Sequence, residues 1–334
     1  MITVGIKAFN EEKHIAASIT SAIEAVREFQ GDVIVADSGS TDRTINIAKQ
    51  FPVRVFQLAN PAERCCGAGA QLAYQHAQGN YFYLLDGDMV LEAGFLPAAV
   101  AYLEANPEIA AVGGEVREMN LANQEFRIRA KSLDKDPNRI PGIVDRLEGG
   151  GLYRTSAVRE VGYFADRNLH AFEEFELAAR LQSRSWKMAR INATAVKHFG
   201  HTLGGFRLLG RRLRSGYLAA TGEILRSAIG TPQLSIVLRR LSHIRNGLIV
   251  VFWWAALLCS IAFNFTFFLI LVLAPLVFLT IRRGSLSLGI YSFASWNACA
   301  LGLLQGLLHG RIQPDQKIGS IEITSQRHAF KVGE

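Results

Sequence analysis

Apolar and polar positions alternate in short blocks through the first 90 residues of the chain. Ile2 to Ala8 is an apolar run that predicts a first strand. Glu11 to Phe29 carries Ile15, Ile19, Ala22, Ile23 and Val26 at helical spacing. Asp32 to Ala36 gives a second buried strand, and Ser40-Thr41-Asp42 caps a helix running through Lys49. Val53 to Leu58 predicts a third strand, Ala68 to Ala77 a helix, and Tyr81 to Leu85 a fourth strand bounded by Gly79-Asn80. This βαβαβαβ order predicts an α/β fold, a mostly parallel sheet with helices on both faces.

Beyond it, Phe95 to Asn106 reads as a helix, followed by the apolar Ala110-Ala111-Val112-Gly113. Residues 120–148 are charged and contain Pro137 and Pro141, which predicts a loop. Its Arg127, Arg129, Lys131, Lys135, Arg139 and Arg146 could close over a ligand, dock at headgroups or face solvent. Order returns at Gly149 to Arg154, with a helix from Glu173 to Ser185 and a strand around Met188 to Ile191.

The pattern then changes character. From Leu248 to Ile281 there is no charged residue, and only Ser260, Asn264, Thr266 and Thr280 interrupt the run as polar side chains. Such a stretch is too long for a core helix and predicts membrane; two short spans folded at Asn264 fit it better than one. Leu286 to Leu308 is less apolar and predicts a third span or an interfacial helix. Gly302, Gly306 and Gly310 recur there every four residues, which permits close helix packing. The expected division is a catalytic domain over 1–205, a basic helical collar over 206–246, a membrane segment over 247–308 and a tail over 309–334.

Charge sets the orientation. Between Gly205 and Asn246 stand eight arginines (207, 211, 212, 214, 226, 239, 240 and 245) against one acid, Glu223, and Arg282-Arg283 follow the second apolar run. Basic flanks stay on the cytoplasmic side, so the large domain is expected at the cytoplasmic face of a plasma or inner membrane. Much of the net charge of +7 lies in this collar. A basic stretch running straight into an apolar one favours anionic lipid headgroups over nucleic acid as partner. The first strand begins at once, with no signal peptide before it. Four cysteines, two adjacent and two in apolar runs, give neither a disulfide framework nor a zinc spacing and fit a reducing compartment.

The candidate chemistry lies at strand ends. Asp86-Gly87-Asp88 follows the fourth strand, and two carboxylates one residue apart form a hard-oxygen set suited to Mg²⁺ or Mn²⁺ with substrate phosphates. Open α/β sheets bind ligands at this carboxyl edge. The first strand ends in Phe9-Asn10-Glu11-Glu12, the second in Asp37-Ser38-Gly39-Ser40-Thr41-Asp42. Glu173-Glu174-Phe175-Glu176-Leu177 comes later, with Arg180-Leu181 one turn on.

In order and spacing these four stations resemble the family 2 inverting glycosyltransferases of GT-A fold, which carry A-[YF]-N-E-E, D-[DS]-G-S-T-D, D-x-D and E-D-x-E-L-x-x-R-L. The glycine-rich segment 149–164, GGGLYRTSAVREVGYF, matches the family's linking text. The resemblance covers residues 1 to about 200. It implies that Phe9, Asn10 and Glu11 line the base and ribose of a nucleotide-sugar donor and that Asp37 accepts a hydrogen bond from the base. Asp86 would approach ribose and metal, and Asp88 would ligate the metal. Glu174 takes the position of the catalytic Asp and becomes the general base, one methylene longer than usual, with Glu173 as rival. His198 is a candidate for metal or diphosphate. Ser38 replaces a second Asp, as the family tolerates. Gln182 to Trp186 lacks the Arg–Trp spacing of processive synthases, and Gly67-Ala68-Gly69 lacks the third glycine of a dinucleotide fingerprint.

The expected activity is transfer of one sugar to a membrane-held acceptor, a lipid or lipid-linked glycan, by single displacement with inversion. Two other classes stay open at this point. A metal-dependent nucleotidyltransferase would need a basic glycine-rich loop where Phe9 to Glu12 stands. A catalytically inactive nucleotide-binding membrane scaffold would not need Asp86, Asp88 and Glu174 intact.

Overall fold

A computed structural model describes residues 1–119, 136–200 and 205–323, with the backbone alone at 262 and 263. The basic positions Arg127, Arg129, Lys131 and Lys135 lie outside the described residues. Two compact units emerge, Met1–Thr202 with Arg311–Glu334, and Leu203–Gly310.

The first unit is built on a sheet of ten strands among the described residues: β1 Ile2–Ala8, β2 Asp32–Asp37, β3 Arg54–Leu58, β4 Tyr81–Asp86, β5 Met89–Leu91, β6 Ile109–Glu118, β7 Gly142–Val144, β8 Gly151–Arg154, β9 Lys187–His198 and β10 Ser320–Ile323. Their order is β10-β3-β2-β1-β4-β8-β6-β9-β5, with β7 also on β9. β3, β2, β1 and β4 run parallel, so they are apolar on both faces, as sheets covered by helices on each side must be. On one face Ile2, Val4, Ile6, Val35 and Leu85 meet residues of the helices Ile15–Val26 and Phe95–Ala105. On the other, Ile34, Ala36, Phe82 and Leu84 meet Leu72, Phe164, Leu177 and Leu181, most of them from the helices Cys66–Gln75 and Glu173–Ser183. Burying a side chain of this kind stabilises by roughly 1.5–3 kcal/mol. Gly67 sits where a Cβ would lie 2.0 Å from the Asp166 carbonyl oxygen. The Gly-Ala-Gly stretch therefore serves helix packing against the 166–169 segment.

Four features depart from the sequence reading. The α/β class holds, but the sheet is mixed rather than mostly parallel: β4–β8, β6–β8, β5–β9, β7–β9 and β10–β3 pair antiparallel. The strand expected around Met188 to Ile191, and as far as Val196 with His198 just after it, runs on to His198 and so carries that residue as its last position. The described end of the 120–148 loop is ordered by pairing: β7 lies against β9, and Arg190 donates to the carbonyl oxygens of Asn138 (2.8 Å) and Gly114. The tail rejoins the sheet, Ile321 opposite Gln57 in an antiparallel β10–β3 pair.

The second unit is helical: Gly205–Arg214, Ala220–Ala228, Leu234–Arg240, Ser242–Phe263, Phe265–Arg283 and Leu286–Leu308. Segments Ser242–Ile261 and Phe265–Arg283 are long and apolar enough to cross a membrane. The break falls at Asn264, whose Oδ1 accepts from the Phe267 N–H at 3.0 Å and caps the next helix. Of the three spaced glycines, Gly302 and Gly306 provide close packing. Added Cβ atoms there would lie 2.3 Å from the Leu218 carbonyl oxygen and 2.0 Å from that of Ala219, whereas Gly310 meets nothing within 4 Å.

Candidate active site

Every acidic station stands at or beside the carboxyl edge of the parallel strands. Ala8 pairs with Asp37 and Lys7 with Asp86, so the register of β1 brings the first three stations together. The Gly87 N–H donates to the Lys7 carbonyl at 2.9 Å, which fixes the Asp86-Gly87-Asp88 turn against β1. Below the turn the buried Ser18 hydroxyl lies 2.8 Å from the Gly87 carbonyl oxygen and 2.6 Å from that of Met89.

The loop after β1 is held by the loop after β2. Asn10 adopts φ 57°, a left-handed conformation that asparagine tolerates. Its N–H donates to Ser40 Oγ at 2.9 Å and its Oδ1 accepts from Thr41 N–H at 2.8 Å. Glu11 N–H donates to Thr44 Oγ1 at 2.8 Å. Phe9 lies beneath the Arg64 guanidinium, 4.1 Å from the ring centroid. Asp37 is fully buried. Its Oδ1 accepts from Gly39 and Ser40 N–H groups at 2.9 and 2.8 Å, and its Oδ2 has no hydrogen-bond partner among the described residues.

The two carboxylates of the turn face different partners. Asp86 Oδ1 is 3.2 Å from Lys7 Nζ, which also reaches Glu173 Oε1 at 2.8 Å. Burial alone would depress the Lys7 ammonium, but the Asp86 and Glu173 carboxylates outweigh it and hold Lys7 well above its ordinary value. Burial pushes Asp86 upward despite Lys7. Asp88 instead meets His198, Oδ2 to Nε2 3.4 Å, and the other ring nitrogen of His198 is 2.7 Å from Glu118. Burial opposes the charged imidazole, yet the hydrogen bonds to Asp88 and Glu118 raise it to about 10. The carboxylates of Asp86 and Asp88 are hard oxygen donors of the kind Mg²⁺ or Mn²⁺ takes, whereas His198, charged between Asp88 and Glu118, would have to give up its proton before it could bind a metal.

Glu173 and Glu174 differ in what holds them. Phe172 adopts φ 68°, a conformation costing a bulky residue on the order of 1–3 kcal/mol, and turns the chain into the helix they begin. Glu173 is buried and tied to Lys7. Glu174 accepts from the Gly150 N–H at 3.0 Å and the Gly149 N–H at 3.3 Å. Those glycines have φ 89° and 81°, and a Cβ at Gly150 would lie 2.4 Å from the Leu84 carbonyl oxygen. Only glycine lets the backbone present its donors there. Burial, then Glu173 and Asp86 against the opposing Lys7, lifts the Glu174 carboxyl to about 7. Further along the helix, Arg180 pairs with Glu176 at 2.7 Å and donates to the Val161, Tyr163 and Phe164 carbonyls, a structural brace.

Lys7 and Glu118 are the residues that sequence reasoning passed over. Lys7 left a trace: a lone charge inside an apolar strand has to find a partner when buried. Glu118 left none, because only the β6–β9 register, with Glu118 opposite His198, brings it to the site.

Residues 3–162 match the family described as glycosyl transferase family 2. This stretch belongs to family 2 of the glycosyltransferases. "Putative glycosyltransferase EpsE" of Bacillus subtilis is 29% identical over 189 residues, 54% of this chain and 66% of that protein. Glucomannan 4-beta-mannosyltransferase 2 of Arabidopsis thaliana is 26% identical over 239 residues, 65% of this chain and 44% of its own length. The chain thus spans less than two-thirds of either relative. Among solved structures, the mannosyltransferase PcManGT of Pyrobaculum calidifontis, in complex with GDP-Man and Mn²⁺, has a TM-score of 0.58 at 19% identity, covering 91% of this chain and 86% of that one. S. aureus TarS 1–349 gives 0.53 at 14% identity, covering 96% and 98%. At such identities the likeness is one of fold, and the glycosyltransferase domain is an α/β domain of GT-A type.

Proposed function

We propose that this glycosyltransferase moves one sugar from a nucleotide-diphosphate donor to an acceptor hydroxyl by a single displacement that inverts the anomeric centre, with Glu174 as general base. One observation carries the assignment. Glu174 is pinned by two backbone N–H groups and lifted to about 7, where a carboxylate can take a proton near neutral pH. Glu173, the rival, is committed to Lys7. In the step, the acceptor oxygen attacks the anomeric carbon as its proton passes to Glu174, and the carbon–oxygen bond to the diphosphate breaks. With a single base and no covalent intermediate, the configuration inverts.

Asp88 and Asp86 would hold a divalent cation, which supplies positive charge to the leaving diphosphate when bound, and His198 would join them only after losing the proton it holds between Asp88 and Glu118. Phe9, Asn10 and Glu11 would border the nucleotide. Asp37 keeps its Oδ2 without a partner among the described residues and so open to a base N–H, although the residue is fully buried. The apolar helices from Ser242 to Arg283 and the arginines before them support a multi-pass membrane protein with its catalytic unit on the cytoplasmic face, and so an acceptor that is a lipid or lipid-linked glycan.

The test is donor binding and turnover on detergent-purified protein. UDP-, GDP- and dTDP-sugars are titrated with and without Mn²⁺ while the melting temperature is read. A metal-dependent rise with one nucleotide, lost in Asp88→Asn, supports the reading. A folded protein that responds to none of them, with or without metal, defeats it.

A further inference from the structure

We propose that the apolar unit is a two-span hairpin and that its third long helix, Leu286–Leu308, does not cross the bilayer. Together with the helix Gly205–Arg214 it lies along the leaflet on the catalytic unit's side, and that anionic leaflet is the partner of both. The inference rests on the membrane reading above but not on the chemistry of the site.

The chain leaves the catalytic unit at Thr202 and belongs to it again from Arg311. The return is secured at many points. Arg311 pairs with the buried Asp166 at 3.1 Å. Asn168 exchanges two 2.8 Å hydrogen bonds with the Ile312 backbone. Arg167 donates to the Gln316 and Lys317 carbonyls at 2.9 and 3.1 Å, and Gln75 exchanges bonds of 2.9 and 3.0 Å with Ile318 before β10 joins β3. A segment that starts and ends in one water-soluble sheet crosses a bilayer an even number of times. The segment holds three long helices, so they cannot all cross.

Within the helical unit, contacts at both ends of Leu286–Leu308 set that helix apart from the other two. A hairpin closed at Asn264 puts the start of Ser242–Phe263 and the end of Phe265–Arg283 at the same level. Leu286–Leu308 begins against that end: a Cβ on Gly289 would lie 2.7 Å from Thr280 Cα. It finishes against the start of the first helix, where a Cβ on Gly247 would lie 2.9 Å from Leu303 Cδ2. Gly302 and Gly306 then pack on Leu218 and Ala219, which precede both spans. A helix bridging two sites on one level does not traverse. The spans have suitable lengths: 22 and 19 residues correspond to about 33 and about 28 Å, against a hydrocarbon core of about 30 Å.

Gly205–Arg214 exposes Phe206 and Leu213 while carrying Arg207, Arg211, Arg212 and Arg214. Arg282 and Arg283 end the second span, and Arg283 donates to Ser292 of the bridging helix at 3.0 Å. Apolar side chains beside cations on a short helix suit an in-plane position at anionic headgroups.

The experiment places single cysteines in the full chain, in a background with Cys65→Ser, Cys66→Ala, Cys259→Ala and Cys299→Ala. A membrane-impermeant maleimide then probes right-side-out and inside-out vesicles. Asn264→Cys should label from one face only, and Gln50→Cys, Ser285→Cys and Gly310→Cys from the other. Ser285 and Gly310 labelling from opposite faces would mean that the third helix crosses and would overturn the proposal. So would Asn264 labelling from the same face as Gln50. An epitope inserted after Asn264 in the otherwise unaltered chain asks the same question by antibody access, should the cysteine-free background not fold. Release of the wild-type chain by alkaline carbonate would instead sink the membrane reading itself, whatever the sidedness.

Discussion

The two units solve the problem of close packing in opposite ways. The catalytic unit draws charge inside: Lys7, Asp86 and Glu173 share one site, His198 joins Asp88 to Glu118, and Arg180 lies buried on Glu176. The helical unit keeps its long helices almost free of charge and brings them together through glycines 222, 247, 289, 302 and 306. Buried charge is costly to separate from its partner, and a glycine contact is costly to fill. The first unit should therefore be sensitive to changes of charge at constant shape, the second to changes of shape at constant charge.

The largest effect expected on the charged side is on turnover. Glu174→Gln changes shape little, yet it removes the proposed proton acceptor and should lower kcat by about 10²–10⁴-fold. The donor-induced rise in melting temperature should stay. Glu173→Gln should cost less, since that carboxylate is tied to Lys7. Equal losses, or a greater loss at Glu173, would reverse the assignment. The wild-type kcat/KM should fall as pH drops below about 7, where Glu174 takes up its proton.

Next in size come the stability effects, one in each unit. Lys7→Met leaves Asp86 and Glu173 facing each other without their shared cation and should destabilise by about 3–5 kcal/mol. Adding Glu173→Gln should restore part of that loss, which a double-mutant cycle in denaturant would register. On the apolar side, Gly306→Leu sets a side chain where even a Cβ would lie 2.0 Å from the Ala219 carbonyl oxygen. It should detach the helix Ala220–Ala228 at a cost of several kcal/mol, while nucleotide binding survives. Gly310→Ala, with nothing within 4 Å, should be silent. If Gly306→Leu were as silent as Gly310→Ala, the contrast between the units would not hold.

How much of this could be read beforehand follows the same divide. The parallel strands and their helices were legible because burial on two faces writes itself as Val-Ile-Val and Phe-Tyr-Leu-Leu. The break at Asn264 was legible as a polar residue in an apolar run. The choice between Glu173 and Glu174 was not, because neighbours in sequence are separated only by what faces them, and Lys7 reaches Glu173 across 166 positions. Nor was the return of the tail: Ser320-Ile321-Glu322-Ile323 is only four residues long and gains its place through the free edge of β3.

The smallest predicted effect tests whether the catalytic unit gives up stability for its base. Burial lifts the Glu174 carboxyl from an ordinary 4.5 to about 7. A carboxyl raised in the folded state holds its proton more tightly there than in the unfolded chain. Its contribution to stability is therefore complete below about pH 4.5 and is lost as pH climbs through about 7. Glutamine stands for the protonated form at every pH. Glu174→Gln should thus melt close to wild type at pH 5 and a few degrees higher at pH 8, since roughly 1 kcal/mol moves the midpoint by a few degrees in a chain of this size. A difference that stays flat from pH 5 to pH 8 would show that Glu174 ionises without hindrance, and its fitness as a base would then need another source than burial.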